Sequence, residues 1–153
     1  MIPDISMGNA AGPRTHAVLR VIRAVLVFDT VALLFAAALH VAGARIPLGS
    51  AEFVEPQIVP AAIVEGLAGL IFAVAAYAAF AGARWAWPMA LFAHAFAILG
   101  FLVGIFATRN GTSPFNRVYH LVMLVIFVAG VALLLTSSAK AALGRGPQEL
   151  RSA

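Results

Sequence analysis

Five ionisable side chains interrupt long apolar stretches of this sequence: Asp29, His40, Glu65, His94 and His120. Imidazoles and carboxylates bind metals, exchange protons and hydrogen-bond polar ligands, and imidazole also binds haem iron. A charged side chain in the middle of a membrane-spanning segment costs about 2.5–3.5 kcal/mol on insertion scales. We therefore predict that these five residues form a ligand-binding site.

The depth of each residue in its apolar segment predicts which of them lie together. At about 1.5 Å per residue, His40, Glu65 and His120 lie about 3, 10 and 5 Å from the same end of their segments. We predict that these three form one cluster in the outer leaflet of a bilayer, with a histidine or Arg45 within hydrogen-bonding or water-bridged reach of Glu65. His94 is expected below this cluster.

Asp29 and His40 are eleven residues apart, which is close to three helical turns, so they share one helix face. Asp29 is expected in the cytoplasmic half of its helix, paired with Arg23, Arg84 or a tryptophan N–H. Small residues near Glu65 would permit close helix packing. The predicted inward-facing rows are Asp29, Leu33, Ala36 and His40 on the first helix, and Glu65, Gly69, Phe72 and Ala76 on the second.

Two chemistries fit this set of residues. His40 and His120 at matching depth could ligate haem b, or together with Glu65 a metal ion. Alternatively, Glu65 could exchange protons with a neighbouring histidine during ligand binding. The sequence has no cysteine, which excludes disulfides, thiolate metal sites and iron–sulfur clusters. We find no phosphate-binding glycine loop, nucleophile elbow or HExxH motif, which favours a non-enzymatic role.

The composition indicates that lipid is the solvent for much of this chain. Of its 153 residues, 63% are hydrophobic and 10% charged, and the mean hydropathy is +0.99; a soluble domain of this size would need more polar surface. We predict an all-α integral membrane four-helix bundle of up-down-up-down topology within residues 18–136. The predicted helices cover about 24–42, 58–80, 86–107 and 117–135, between a disordered cytoplasmic tail (1–17) and a basic cytoplasmic tail (137–153).

Charge predicts the orientation of this bundle. One side carries seven basic residues, namely Arg14, Arg20, Arg23, Arg84, Lys140, Arg145 and Arg151, and the other carries three, namely Arg45, Arg109 and Arg117. Because basic residues are enriched in cytoplasmic loops, both termini are expected in the cytoplasm of a multi-pass cell-membrane protein. The net charge of +4 comes from helix ends, which favours the lipid bilayer rather than nucleic acid as partner.

The first helix has an arginine-led start and contains the string LFAAALHVAG, and the second helix contains the string VEGLAGL. With these features and its four spans, the chain resembles small bacterial membrane proteins of the DoxX-like type. The resemblance implies a bacterial inner-membrane protein. Some of these proteins are accessory to quinone oxidoreductases, but no catalytic residue follows from the likeness.

Three functions remain open from the sequence. The leading interpretation is an accessory or ligand-binding bundle with a polar His/Glu pocket in the outer leaflet. The alternatives are a redox subunit that holds haem b or quinone, and a proton-coupled carrier. A carrier would need a dimer because four helices enclose little volume, and a membrane-protein partner or a homodimer is compatible with each function.

Overall fold

The computed structural model describes residues 13–49, 51–54, 56–109 and 114–144. In chain order its elements are α1 (Pro13–Ala42), β1 (Arg45–Leu48), β2 (Ala51–Val54), α2 (Val59–Ala81), α3 (Ala86–Thr108), α4 (Pro114–Leu134) and α5 (Ser137–Leu143). Four of these helices, α1 to α4, are long and apolar enough to cross a membrane. The prediction of a mostly helical protein with four long apolar helices is therefore confirmed.

Helix α1 begins eleven residues before the predicted start at residue 24, so residues 13–17 belong to a helix and not to the predicted tail. Proline is well tolerated in the first helical turn, and neither glycine nor proline follows before Ala42. Ile22 and Leu19 continue the buried row of Leu26 one and two turns towards the N-terminus. That apolar row, which the arginines between its members obscure in the sequence, explains the longer helix. The remaining tail residues, 1–12, lie outside the described part.

The connection between α1 and α2 contains a hairpin that the sequence did not predict. Strands β1 and β2 pair antiparallel with Arg45 opposite Val54, and Gly49 lies in the turn with a φ of 67°. Arg45 and Glu52 form an exposed ion pair at 3.7 Å. The proline in β1 is compatible with this arrangement because a two-stranded sheet has only edge strands.

The four long helices pack in chain order, α1 on α2, α2 on α3 and α3 on α4, and α1 also contacts α4 less extensively. All residues of the two predicted inward rows are buried. At Gly69 a Cβ atom would meet Leu34 at 2.8 Å, so the glycine is needed for the close approach of α1 and α2. Large apolar side chains such as Phe35, Tyr77 and Phe106 are exposed on the outside of the bundle.

Helix α5 occupies residues 137–143, the first part of the predicted basic tail. Thr136 caps the helix by accepting a hydrogen bond from the Ala139 backbone N–H at 3.2 Å. Ala139, Ala142 and Leu143 are buried, and the helix packs mainly on α1. The sequence window is too short for a clear apolar period, so this face is visible only in the packed structure. Residues 145–153 of the predicted tail lie outside the described part.

Candidate functional site

His40 and Glu65 are neighbours across the α1–α2 interface. The distance from His40 Nε2 to Glu65 Oε2 is 3.4 Å, and each side chain is 5% exposed. His40 lies in the last turn of α1 and Glu65 in the second turn of α2. The imidazole thus reaches the carboxylate as predicted, whereas Arg45, the other predicted partner, pairs with Glu52.

Backbone contacts hold the ends of α1 and α2 together near this pair. The Ile58 backbone N–H donates to the His40 carbonyl at 3.1 Å, and Gln57 Nε2 donates to the Val41 carbonyl at 3.0 Å. Gly43 ends α1 with a φ of 63°, a left-handed conformation that favours glycine. The chain therefore returns immediately beside His40, which fixes the start of α2 and the position of Glu65.

A cavity of about 200 Å³ adjoins the His40–Glu65 pair, and we call it the polar cavity. Its polar lining residues are His40, Glu65, Asn116 and His120; its apolar lining comes mainly from α2 and α3, with Val64, Phe101 and Val103 among it. All three residues of the predicted cluster therefore line one cavity. Its volume is below the roughly 300–1,000 Å³ typical of sites for drug-sized ligands.

His120 lines the polar cavity from α4 in a fixed orientation. Its Nδ1–H donates to the Asn116 carbonyl at 2.8 Å; because a carbonyl oxygen only accepts, Nδ1 carries the proton, and Nε2 of the neutral ring is an acceptor. A Cβ at Gly104 would meet that Nε2 at 3.0 Å. The Gly100-x-x-x-Gly104 spacing noted for helix packing therefore leaves room for the imidazole and the cavity.

Asn116 is a lining residue that sequence reasoning missed. The preceding Asn-Gly and Ser-Pro pairs predict a turn, and Asn116 reads as a helix cap within it. In the structure α4 already begins at Pro114, and Asn116 is buried in its first turn. Its four-residue spacing from His120, which places both on one helix face, is the signal that could have identified it.

A second histidine–carboxylate contact joins α1 and α3 and is distinct from the polar cavity. His94 Nε2 lies 3.6 Å from Asp29 Oδ2, with side chains 2% and 0% exposed; we call these residues the central pair. As predicted, His94 is not in the His40–Glu65–His120 cluster. The predicted partners of Asp29 are wrong, since Arg23 donates to the Ala79 carbonyl and Trp87 to the Leu134 carbonyl.

The two ring nitrogens of His94 have different roles in the central pair. His94 Nδ1–H donates to the Ala90 carbonyl at 2.8 Å, so Nε2 of the neutral ring is an acceptor. A carboxylate is an acceptor as well, and the 3.6 Å approach is favourable only when one further proton lies on Nε2 or Oδ2. Within the described residues neither oxygen of Asp29 has a hydrogen-bond partner. The central pair is thus a buried histidine–carboxylate contact that one further proton would stabilise.

Apolar groups from α2 and α4 surround this imidazole. The Phe72 ring meets His94 edge-on at 4.9 Å between centroids, and Phe127 lies at 6.4 Å. On the α4 side the imidazole packs directly on Gly130, where a Cβ would overlap the ring. The His94 ring is therefore tightly packed, with Asp29 Oδ2 3.6 Å from its Nε2.

Gly130→Ala is expected to lower the free energy of unfolding by about 1–3 kcal/mol, the cost of overpacking a filled core. Gly66→Ala is the matched control, because a Cβ there meets Ala37 at an ordinary 3.6 Å; it should be neutral or slightly stabilising, since alanine favours helix. Denaturant unfolding of both variants in detergent micelles measures the difference. Equal stability of the two would contradict the packing of His94 on Gly130.

The five predicted site residues thus form two groups, with His40, Glu65 and His120 at the polar cavity and Asp29 and His94 in the bundle centre. His40, His120 and Glu65 are the predicted metal ligands. Among the described residues no group of three or more histidine, aspartate or glutamate side chains is arranged to hold a metal ion. No protein-family model, curated protein or solved structure matches this chain.

Proposed function

We propose that this chain is a non-enzymatic integral membrane protein that binds a small molecule in the polar cavity. The observation that carries the proposal is the convergence of His40, Glu65, Asn116 and His120 on one cavity with otherwise apolar walls. A few polar groups on an otherwise apolar wall are typical of small-molecule sites, where they fix the orientation of the ligand. Four elements contribute to the lining, so a bound ligand would also stabilise the bundle.

The size and chemistry of the cavity restrict the class of ligand. An apolar cavity of about 150 Å³ in another protein binds benzene, so about 200 Å³ accommodates one ring with a small substituent. Glu65 offers a carboxylate acceptor, and neutral His120 offers Nε2 as a second acceptor. The ligand is therefore a small, largely apolar molecule with a hydrogen-bond donor.

Three probes of nearly equal size test this class: benzylamine, benzyl alcohol and toluene. The amine and the alcohol carry donors, so each should raise the Tm of the purified protein in detergent more than toluene does. Glu65→Gln should reduce this advantage, most strongly for the cationic amine, because the amide lacks the negative charge. Glu52→Gln removes the same charge from the exposed hairpin and should leave the advantage unchanged. Equal shifts for all three probes, or no shift, would contradict the proposal.

Haem ligation is less well supported by the same residues. His40 Nε2 faces Glu65 at 3.4 Å, so this nitrogen is directed at a carboxylate and not at an iron atom between His40 and His120. The visible absorption spectrum of the purified protein tests this point. A Soret band would favour the redox alternative over the small-ligand site.

A proton-coupled carrier is the second candidate, and the central pair favours it. Asp29 and His94 form one buried histidine–carboxylate contact, and His40 and Glu65 form a second about 16 Å further along α1. Histidine–carboxylate contacts are suited to proton exchange. Loading the protein into proteoliposomes with a pH-sensitive dye tests this candidate. Benzylamine-dependent proton movement that Asp29→Asn abolishes would favour the carrier.

The proposed topology is up-down-up-down in the cell membrane with both termini cytoplasmic. Reporter fusions after residues 1, 83 and 153 should then give cytoplasmic signals, and fusions near residues 50 and 111 external ones. The reason is the excess of basic residues on the side of the termini. A cytoplasmic signal near residue 50 would reverse the orientation. The DoxX-like resemblance and the bacterial inner-membrane setting stay predictions.

A further inference from the structure

A surface groove of about 520 Å³ lies at the end of the bundle that carries the α2–α3 turn, away from the polar cavity. It is lined by Arg20, Arg23, Ala24, Val27, Phe28 and Phe80, and we call it the basic groove. All of these residues except Phe80 come from one face of α1, because they lie three, four, seven and eight positions after Arg20. Phe80 belongs to the last turn of α2.

Two hydrogen bonds and a cation–π contact hold Arg23 in place in this groove. Its Nε and Nη2 donate to the Ala79 carbonyl at 3.2 and 3.0 Å, and its guanidinium lies over the Phe80 ring at 4.9 Å. Ala79 is among the last four residues of α2, whose carbonyls lack partners within the helix. A guanidinium has five N–H donors, so Arg23 keeps donors for an anion after these two bonds.

Arg20 supplies a second cation one turn earlier on the same face of α1. It is exposed and lines the groove with Arg23. Arginine is always charged and forms paired hydrogen bonds with phosphate oxygens. Among the described residues no acidic side chain lines the groove. Its charge is therefore complementary to an anionic group such as a phosphate.

The remainder of the groove is apolar and runs from the arginines towards the middle of α1. Val27, Phe28 and Phe80 line it and are 43%, 52% and 57% exposed. From Arg20 to Phe28 the axial distance is about 12 Å. A groove with a cationic end and an apolar lining of this length is complementary to a molecule with an anionic head and a hydrocarbon chain.

We propose that the basic groove binds an anionic phospholipid, with its phosphate at Arg20 and Arg23 and an acyl chain along Val27, Phe28 and Phe80. Basic residues beside an apolar helix attract anionic lipids at the cytoplasmic surface. Here the arginine fixed on the α2 terminus makes the site specific in position. The proposal is independent of the ligand in the polar cavity.

Binding of dioleoyl-phosphatidylglycerol to the full chain in detergent, measured by native mass spectrometry, tests the site. The wild-type protein should retain phosphatidylglycerol more strongly than dioleoyl-phosphatidylcholine, which has the same chains and a zwitterionic head. Arg20→Gln should weaken phosphatidylglycerol binding about five-fold. Arg84→Gln is the matched control, since Arg84 is exposed in the α2–α3 turn, near the same end of the bundle, but outside the groove; it should leave binding unchanged.

Two outcomes would overturn the proposal. Equal weakening by Arg20→Gln and Arg84→Gln would show attraction to the basic surface as a whole and not to this groove. Competition by millimolar inorganic phosphate, with no difference between dioleoyl and short-chain dihexanoyl phosphatidylglycerol, would show a simple anion site without a chain. Phe28→Ala separates the two parts of the groove: it should weaken binding of the dioleoyl lipid and leave that of the dihexanoyl lipid unchanged. The benzylamine response of the polar cavity should be the same in all these variants.

Discussion

Asp29→Ala is expected to lower the free energy of unfolding by about 3 kcal/mol, because it leaves His94 buried without its partner. The imidazole cannot turn to another group, since Nδ1–H is bonded to Ala90 and Gly130 packs on the ring. Removal of one partner from a buried ion pair costs about 3–5 kcal/mol in soluble proteins. We expect a cost at the lower end of this range, because in micelles the unfolded chain also lies partly in apolar surroundings.

A double-mutant cycle isolates this contact. If the pair shares a proton, Asp29→Ala with His94→Ala should cost less than the sum of the two single changes by about 0.5–3 kcal/mol. Asp29→Asn is the conservative control, since the amide keeps the shape and can accept or donate. Asp29→Lys should be the most harmful substitution at this position, because it buries an ammonium group without a carboxylate in the apolar centre of the bundle. Additive single effects, or equal tolerance of lysine and leucine, would contradict the central pair.

Phe72→Ala is expected to be comparably destabilising, by about 3 kcal/mol. Phe72 is fully buried and its ring contacts both His94 and Phe127. Truncation of a buried phenylalanine costs about 3–5 kcal/mol in soluble cores. In a lipid-like solvent the cavity contributes more of this cost than the transfer of the ring does, because lipid is as apolar as the core.

Phe106→Ala is the matched control for this prediction. The same atoms are removed from a side chain that is 67% exposed on the outside of the bundle, so no cavity forms and the change should cost well below 1 kcal/mol. Unfolding of both variants in mixed micelles measures the contrast. Similar losses for Phe72→Ala and Phe106→Ala would contradict the packing of α2 against α3 and α4.

The long helices and their inward rows could be predicted from the sequence because both depend on local periodicity and length. Leu33 and Phe72 lie on rows defined only by residue spacing, and both are fully buried. The cluster at the polar cavity was also accessible, since His40, Glu65 and His120 lie near the ends of helices that proline and glycine delimit. Distances from such helix ends were therefore sufficient to predict that the three side chains lie together.

The central pair could not be predicted, and the start of α1 explains why. Measured from residue 24, Asp29 lies near the basic end of its helix, and arginines are its expected partners. Since α1 begins at Pro13, Asp29 lies near the middle of the helix, level with His94. The apolar row that extends α1 depends on contacts with other elements, and so do the short helix α5 and the β1–β2 hairpin. Local sequence patterns do not contain that information.

Helix α1 supplies one member of each histidine–carboxylate contact, and this has a consequence for biosynthesis. Glu65 follows His40 by 25 residues, whereas His94 follows Asp29 by 65 residues. At about 5–20 residues per second, the ribosome delivers the partner of His40 within about 1–5 s and that of Asp29 only after about 3–13 s. When only α1 and α2 have left the ribosome, the chain therefore contains the Asp29 carboxylate but not yet the His94 imidazole that contacts it in the folded protein. In the proposed membrane setting, the insertion machinery or a chaperone beside it has to accommodate Asp29 during that interval.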